Sequence, residues 1–369
     1  MHTRLFSPFS LRGLPLANRI VVSPMAQYSA EDGCATQWHL VHLGTLSVSG
    51  AGLLIIEATA VERDGRLSPG DLGLWCDDNE AALAPIIAFC RKNGAARIGL
   101  QLQHAGRKGS VGMPWQGQPQ IPEDQGGWPI HGPDTIPYPG RAQPIALDRA
   151  MIARLIASYA HSARRADRLG IDLIEIHSAH GYLLHNFLSP LSNQRRDEYG
   201  GSLEGRMRFV LEVFSAVRAA WPERKPLGVR ISATDWVEGG WSLDDSIVLA
   251  QRLKALGCDY IAASSGGAVP EQKIEVGPGY QVPFAARIRK EAGIATVAVG
   301  LITEPRQAEA ILQAEQADLV ALGRGMLYNP RWPWHAAAEL GEEAFYPPQY
   351  DRAHPSMRRG DFFKIARQS

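Results

Sequence analysis

Two histidines and a tyrosine crowd the end of an apolar run. In IEIHSAHGYLLHNFLSPLSN (174–193), His177 and His180 stand three apart and Tyr182 follows two residues later. Residues of these types, where a hydrophobic strand ends, support three arrangements. Neighbouring groups can satisfy the imidazoles in a purely structural role. Two histidines at this spacing can hold zinc, given a third ligand and an acid that activates water. Barrel hydrolases often carry a His-x-His on the first strand, and RIVVSPM (19–25) has none. In the third arrangement two imidazole N–H groups converge on one oxygen and polarise it, with Tyr182 close enough to deliver a proton. The third accounts for the tyrosine. Schiff-base chemistry is disfavoured, because no lysine stands in a clearly buried position at a strand end.

Other polar residues interrupt apolar strands. Strand side chains alternate faces. In LGVRIS (227–232) this turns Val229 and Ile231 to one side and Arg230 to the other. In IGLQLQH (98–104) Leu100 and Leu102 oppose Gln101, and in DLIEIH (172–177) Ile174 and Ile176 oppose Glu175 and His177. Glu57 breaks LLIIEATAV (53–61) in the same way. A buried guanidinium is costly unless paired, so Arg230 either pairs with Glu57 or Glu175 or serves a polar ligand. Gln101 adds a donor and an acceptor. With the fixed charge of Arg230, it suits a heterocycle with carbonyl and imide edges that gains negative charge on reduction. AVGLITEP and LGRGMLYNP place Gly300, Gly323 and Arg324 after two late strands, where glycine amides and a forked guanidinium can hold phosphate.

Short apolar runs alternate with stretches of helical period. The remaining strands are expected at 19–25, 260–265, 296–302 and 318–325, giving eight in all. Helices are expected near 38–50, 79–93, 148–169, 203–220, 243–256, 281–292, 305–315 and 331–340, with Asp148, Ser202, Ser242 and Thr303 as caps. Eight β-α units in one chain favour a closed (β/α)8 TIM barrel over an open doubly wound sheet, and no GxGxxG follows the first strand. The 1–369 chain is thus expected to be one domain. LFSPFSLRGLPLANRI forms an N-terminal hairpin plugging one end, and 105–147, rich in Gly and Pro, is an insertion capping the other. Residues 341–369 form an irregular tail.

Composition narrows the partners. Of 369 residues 45% are hydrophobic and 21% charged, and 38 basic residues balance 38 acidic ones. Nothing in that balance favours nucleic acid or an anionic membrane. Cys34, Cys76, Cys90 and Cys258 make no CxxC pair, which suits a reducing cytoplasm better than a disulfide scaffold. The opening MHTRLFSPFSLRG lacks the apolar core of a signal peptide, and no run is long enough to span a membrane.

HSAHGYLLHNFLSPLSNQRRDEYGGSLEGRMRF closely resembles the signature of the old yellow enzyme family of FMN-dependent ene reductases. LFSPFSLRGLPLANRIVVSPMAQYS, LLIIEATAVERDGRLSPGDLGLW, GLQLQHAGRK, GVRISATD and LVALGRGMLYNP follow in family order over nearly the whole chain. The first block and PPQYDR resemble the bacterial subgroup of xenobiotic reductases and thermophilic-like ene reductases. The resemblance implies noncovalent FMN, lined by Ser23, Pro24, Met25 and Ala26 and by Ala58. Gln101 would meet the pyrimidine side, Arg230 the N1/O2 edge, and Gly300, Gly323 and Arg324 the phosphate. His177 and His180 would grip a substrate carbonyl, Tyr182 would donate the proton, and Tyr28 would reach the substrate from the other side. NADPH, or NADH, would be the reductant, and enones, maleimides or nitroalkenes the substrates. Arg352 would enter a neighbouring subunit's site in a homodimer or higher homo-oligomer. The subgroup usually has cysteine where this chain has Ala26. Two other functions fit the residues less well: a metal-dependent hydrolase using His177 and His180, and a non-catalytic flavin-binding protein.

Overall fold

The computed structural model describes residues 3–350 and Arg352. Eight parallel strands close a barrel. They are β1 (Ile20–Val22), β2 (Leu53–Ala60), β3 (Arg97–Gln103), β4 (Leu173–Ser178), β5 (Leu227–Ser232), β6 (Tyr260–Ser264), β7 (Ala295–Ala298) and β8 (Leu319–Leu322), with β8 pairing back onto β1. Eight helices alternate with them: α1 (Gln37–Ser47), α2 (Asp77–Asn93), α3 (Arg149–Arg168), α4 (Leu203–Ala220), α5 (Leu243–Ala255), α6 (Val282–Ala292), α7 (Pro305–Gln313) and α8 (Trp332–Leu340). Every expected strand and helix is present. Strands β1, β7 and β8 stop short of their expected ends, because the chain leaves the ladder to line the barrel mouth. No helix of the described residues is long and apolar enough to cross a membrane.

The alternation of side chains builds two cores. Outward residues such as Leu100, Leu102, Ile174, Ile176, Val229 and Ile231 merge with the inner faces of the helices, among them Tyr159, Phe209 and Val213. Each such aliphatic side chain contributes roughly 1.5–3 kcal/mol on burial. Inward residues Leu53, Ile55, Leu173, Tyr260, Val297 and Leu319 form a separate cluster at the lower end. The antiparallel hairpin Phe9–Leu11/Leu14–Leu16 inserts Leu11, Leu14 and Leu16 into that cluster. It plugs the barrel as the sequence suggested, so any ligand must approach from the strands' C-terminal ends.

Capping follows the sequence at three helices and departs from it at one. Asp148 accepts from Met151 N at 2.7 Å, Ser202 from Gly205 N at 3.1 Å, and Ser242 from Asp245 N at 3.1 Å. Thr303 does not cap α7. That helix opens with Pro305 in its first turn, so Glu304 takes the N-cap position and Thr303 lies one residue too early.

The 105–147 segment is ordered by its own turns. It holds three single 3-10 turns, Gly106–Lys108, Pro114–Gln116 and Glu123–Gln125, and a short ladder between His131–Gly132 and Ile145–Ala146. Buried Arg107 ties it to the barrel mouth, donating to Ile136 O, Pro137 O and Ala268 O. Of the tail, the described part packs on α8, where Tyr346 stacks on Trp334 at 4.4 Å. Residues 351 and 353–369 of the expected tail lie outside the described residues.

Candidate functional site

The site sits on the C-terminal ends of the strands, and β4 supplies its centre. His177 ends the inward row of β4, 4% exposed. Its Nδ1 accepts from Ala179 N at 3.1 Å, which leaves Nε2 as the nitrogen facing the mouth. His180 lies in the left-handed region at φ 59°, a conformation that turns its ring back over β4. Its N–H donates to Ser232 Oγ at 2.9 Å, and Lys108 Nζ donates to its carbonyl at 2.8 Å. The two imidazoles then meet edge to face, with His180 Nδ1 3.2 Å from His177 Nε2. Burial first, and the nearby Arg230 charge second, hold both well below the usual histidine pKa, so both are neutral.

Gly181 makes the next turn possible. Its φ is +72°, and a Cβ there would stand 2.1 Å from Gly267 O. Behind the turn, His185 and Asp235 are fully buried and bonded at 2.9 Å, while His185 Nδ1 accepts from Gly181 N at 2.8 Å. The turn delivers half-buried Tyr182, whose ring stands 5.0 Å from that of His177. Burial pushes the Tyr182 phenol well above its ordinary value, so it keeps its proton at neutral pH. Tyr28, also at positive φ, faces it across a small apolar group of Leu67, Ala105 and Val111. Burial raises its phenol to about 12. Trp115 of the insertion, largely exposed, meets Tyr28 edge-on at 6.0 Å.

The barrel floor beneath this group is polar. Gln101 Nε2 donates to Glu175 Oε1 at 2.7 Å and the Tyr260 hydroxyl to Oε2 at 3.1 Å. With both oxygens engaged, Glu175 does not close an ion pair with Arg230, contrary to the paired alternative. The Glu175 charge still raises the Arg230 pKa, against the larger lowering by burial. Arg230 Nε is buried with no hydrogen-bond partner. Glu57 is not on the inner face at all. A register break between Ile56 and Ala58 makes it the extra residue of a bulge. It reaches His39 of α1 at 3.0 Å and accepts from Gln27 N at 2.5 Å, and half-buried Ala58 takes the inner place opposite Gln101.

Above β7 and β8 is a cavity of about 200 Å³ lined by Arg230, Ser264, Gln281, Gly300, Gly323 and Arg324. Gly300 has φ +128°, and a Cβ there would crowd Gln281 Nε2 at 3.1 Å. The chain from Ser23 to Ala26 follows β1 without regular structure, with Ser23 N bonded to Leu322 O at 3.0 Å and Met25 O accepting from Gln27 Nε2 at 2.8 Å. The structure thus gathers His177, His180, Tyr182, Tyr28, Gln101, Ala58, Arg230, Gly300, Gly323, Arg324 and residues 23–26 at one end of the barrel. Arg352 is exposed beyond the Pro348–Tyr350 turn and does not line the cavity.

Sequence reasoning missed Lys108, Ser264 and Gln281. Lys108 Nζ bridges His180 O and Gly267 O and lies 4.5 Å from the Tyr138 ring, and burial lowers its pKa to about 7. The hydrolase alternative needs a third ligand beside the histidines. Among the described residues no group of three His, Cys, Asp or Glu side chains is placed to hold a metal.

A family model described as the NADH:flavin oxidoreductase / NADH oxidase family matches residues 4–343. NADPH dehydrogenase of Geobacillus sp. (strain WCH70) is 48% identical over 355 residues, covering 95% of this chain and 99% of that one. The fold superposes on morphinone reductase in complex with tetrahydroNAD, with TM-score 0.77, 27% identity and 94% of each chain covered. It also superposes on the old yellow enzyme homologue from Zymomonas mobilis, with TM-score 0.77, 25% identity, 94% of this chain and 97% of that one.

Proposed function

The chain belongs to the NADH:flavin oxidoreductase / NADH oxidase family and is an FMN-dependent NAD(P)H oxidoreductase of the old yellow enzyme type; from that premise we propose that it reduces the activated C=C bond of α,β-unsaturated carbonyl compounds. One observation carries the reading. Two neutral imidazoles bring His177 Nε2 and His180 Nδ1 within 3.2 Å of each other, with a protonated phenol against the first ring. With its proton on Nδ1, His180 would join His177 in donating to one oxygen and stabilising negative charge there while an acid stands by.

The residues present fit FMN. Arg230 has a buried Nε with no partner, as a guanidinium awaiting an acceptor would. The cavity by Gly300, Gly323 and Arg324 offers glycine backbone and a cation for a phosphate. Gln101 and Ala58 lie side by side on β3 and β2 and would meet the polar part of the flavin, with Ser23, Pro24, Met25 and Ala26 lining it as well. FMN held there would supply the hydride chemistry that links NADPH oxidation to alkene reduction.

The chain's own groups do the rest. His177 and His180 hold the carbonyl oxygen and carry the charge that gathers on it. Tyr182 gives its proton to the α-carbon. Tyr28 and Leu67, grouped with Tyr182, and Trp115 against Tyr28 would wall the substrate side, which suits enones, maleimides and nitroalkenes. Arg352, exposed at the end of the described chain, is suited to reach a second copy's pocket in a homodimer.

The test is stopped-flow kinetics on Tyr182→Phe with cyclohexenone. Flavin reduction by NADPH should stay within about threefold of the parent, and alkene reduction should fall by about 10²-fold or more. Equal loss in both half-reactions would remove Tyr182 as the proton donor. An enzyme that oxidises NADPH but never cyclohexenone-dependently would leave a flavin-binding protein without ene reduction.

A further inference from the structure

We infer that His180 changes tautomer when a substrate oxygen enters the site, and that the Ser264 hydroxyl is the reversible partner that makes both tautomers available. The inference rests on the oxygen-clamp reading above and adds a positioning residue to it.

The hydrogen bonds fix the proton positions in the free protein. His177 accepts at Nδ1 from Ala179 N, so the neutral ring carries its proton on Nε2. That proton points at His180 Nδ1, 3.2 Å away, so His180 Nδ1 must accept. His180 therefore carries its proton on Nε2, which is 2.7 Å from Ser264 Oγ. Ser264 accepts there and turns its own proton toward Gln281 Oε1 at 3.4 Å. The chain of donors runs one way, from His177 through His180 and Ser264 to Gln281.

A carbonyl oxygen cannot be gripped by both rings in that state, because His180 offers it a lone pair and it has no proton to give. Double donation needs the proton on His180 Nδ1, leaving Nε2 as an acceptor. A hydroxyl can reverse: Ser264 turns its proton from Gln281 to His180 Nε2. Gln281 Oε1 is not left bare, since Ser265 Oγ donates to it at 2.6 Å. Protons balance for a carbonyl ligand, with one leaving Nε2 and one arriving on Nδ1 of the same ring. His180 is partly exposed, so the two exchange through solvent. A serine or threonine can serve both states. A carboxylate can only accept, and would hold His180 in the resting tautomer.

The test uses FMN-loaded protein with ¹⁵N-labelled histidine rings and 4-methoxybenzaldehyde, a carbonyl ligand with no acidic proton and no alkene, its binding followed by flavin absorbance. The His180 signals are those missing from His180→Asn. The expected spectra show the proton on Nε2 in the free enzyme and on Nδ1 with 4-methoxybenzaldehyde bound, in the parent and in Ser264→Thr. Ser264→Asp should keep the proton on Nε2 and bind 4-methoxybenzaldehyde at least about tenfold more weakly. If 4-methoxybenzaldehyde binds and His180 keeps the same protonated nitrogen, the switch is refuted and the clamp stands on His177 alone. If 4-methoxybenzaldehyde does not bind, the clamp falls and the switch with it. Should Ser264→Asp fail to hold FMN, the spectra of the parent and Ser264→Thr decide the matter.

Discussion

Arg230→Leu separates a ligand-binding role for the guanidinium from a structural one. Arg230 is half-buried on the wall of the cavity above β7 and β8, and desolvation is the largest influence on its pKa, in the direction that disfavours its charge. Its nearest compensation, Glu175, is already satisfied by Gln101 and Tyr260. Removing Arg230 takes away the charge that lowers the Glu175 pKa, already raised by burial, so Glu175 can take a proton and leave no bare charge. Leucine then relieves a desolvation cost of several kcal/mol and loses a Coulomb attraction of similar size, so apoprotein stability should change by no more than about 1 kcal/mol. FMN affinity should behave otherwise. Truncating one partner of a desolvated, hydrogen-bonded charge contact costs about 2–5 kcal/mol, which is roughly 30- to 5000-fold in dissociation constant. Apoprotein melting by circular dichroism and titration with FMN by loss of flavin fluorescence measure the two quantities. A variant that binds FMN within about threefold of the parent but loses more than about 2 kcal/mol of apoprotein stability would refute the reasoning, because Arg230 would then be part of the barrel's own polar layer.

Three further predictions follow from the same geometry. Because both site histidines are neutral, with pKa values well below 6.5, and the Tyr182 phenol is protonated, the histidines should add no inflection near 6.5 to the pH profile of alkene reduction, whereas Lys108, bonded to the His180 carbonyl and lowered to about 7, titrates in that range; an inflection near 6.5 that persists in Lys108→Met would contradict it. Gly181→Ala places a Cβ against Gly267 O and costs about 1–2 kcal/mol in the left-handed region before any clash, so calorimetry should show a lower melting temperature and stopped flow a slower alkene reduction; an unchanged melting curve would show that the turn relaxes freely. Ala26→Cys adds a polarizable sulfur and a weak donor, and should shift the flavin reduction potential and substrate preference while FMN binding is retained; equal potentials in the two proteins would remove any redox role for this position.

Much of this site was legible because it rides on strands. Alternation alone put Arg230 opposite Val229 and Ile231, Gln101 opposite Leu100 and Leu102, and Glu175 and His177 opposite Ile174 and Ile176, and the barrel keeps each on that side. Glu57 defeats the rule because one bulged residue inverts the parity of everything after it, and no residue type in LLIIEATA marks where the inversion falls. Thr303 fails as a cap for a local reason, the proline two residues on that fixes where α7 begins. Lys108 and Ser264 were invisible for a third reason. Their importance lies in partners 72 and 84 residues away in sequence, met only once β4, β6 and the insertion are assembled.

That third class of residue explains how a strained turn can serve as a precise clamp. His180 is in a backbone region that costs free energy for any residue with a Cβ, and the turn after it tolerates only glycine at Gly181. Ser232 holds the His180 N–H and Lys108 the His180 carbonyl, and the His185–Asp235 pair holds Gly181 N from behind. Each anchor comes from a different element, so none could be replaced by lengthening the β4 turn. The strain is offset where the anchors are, away from the two nitrogens that face the mouth. Those nitrogens are therefore free of structural duty except toward one another, and the one bond between them is the bond an incoming oxygen has to replace.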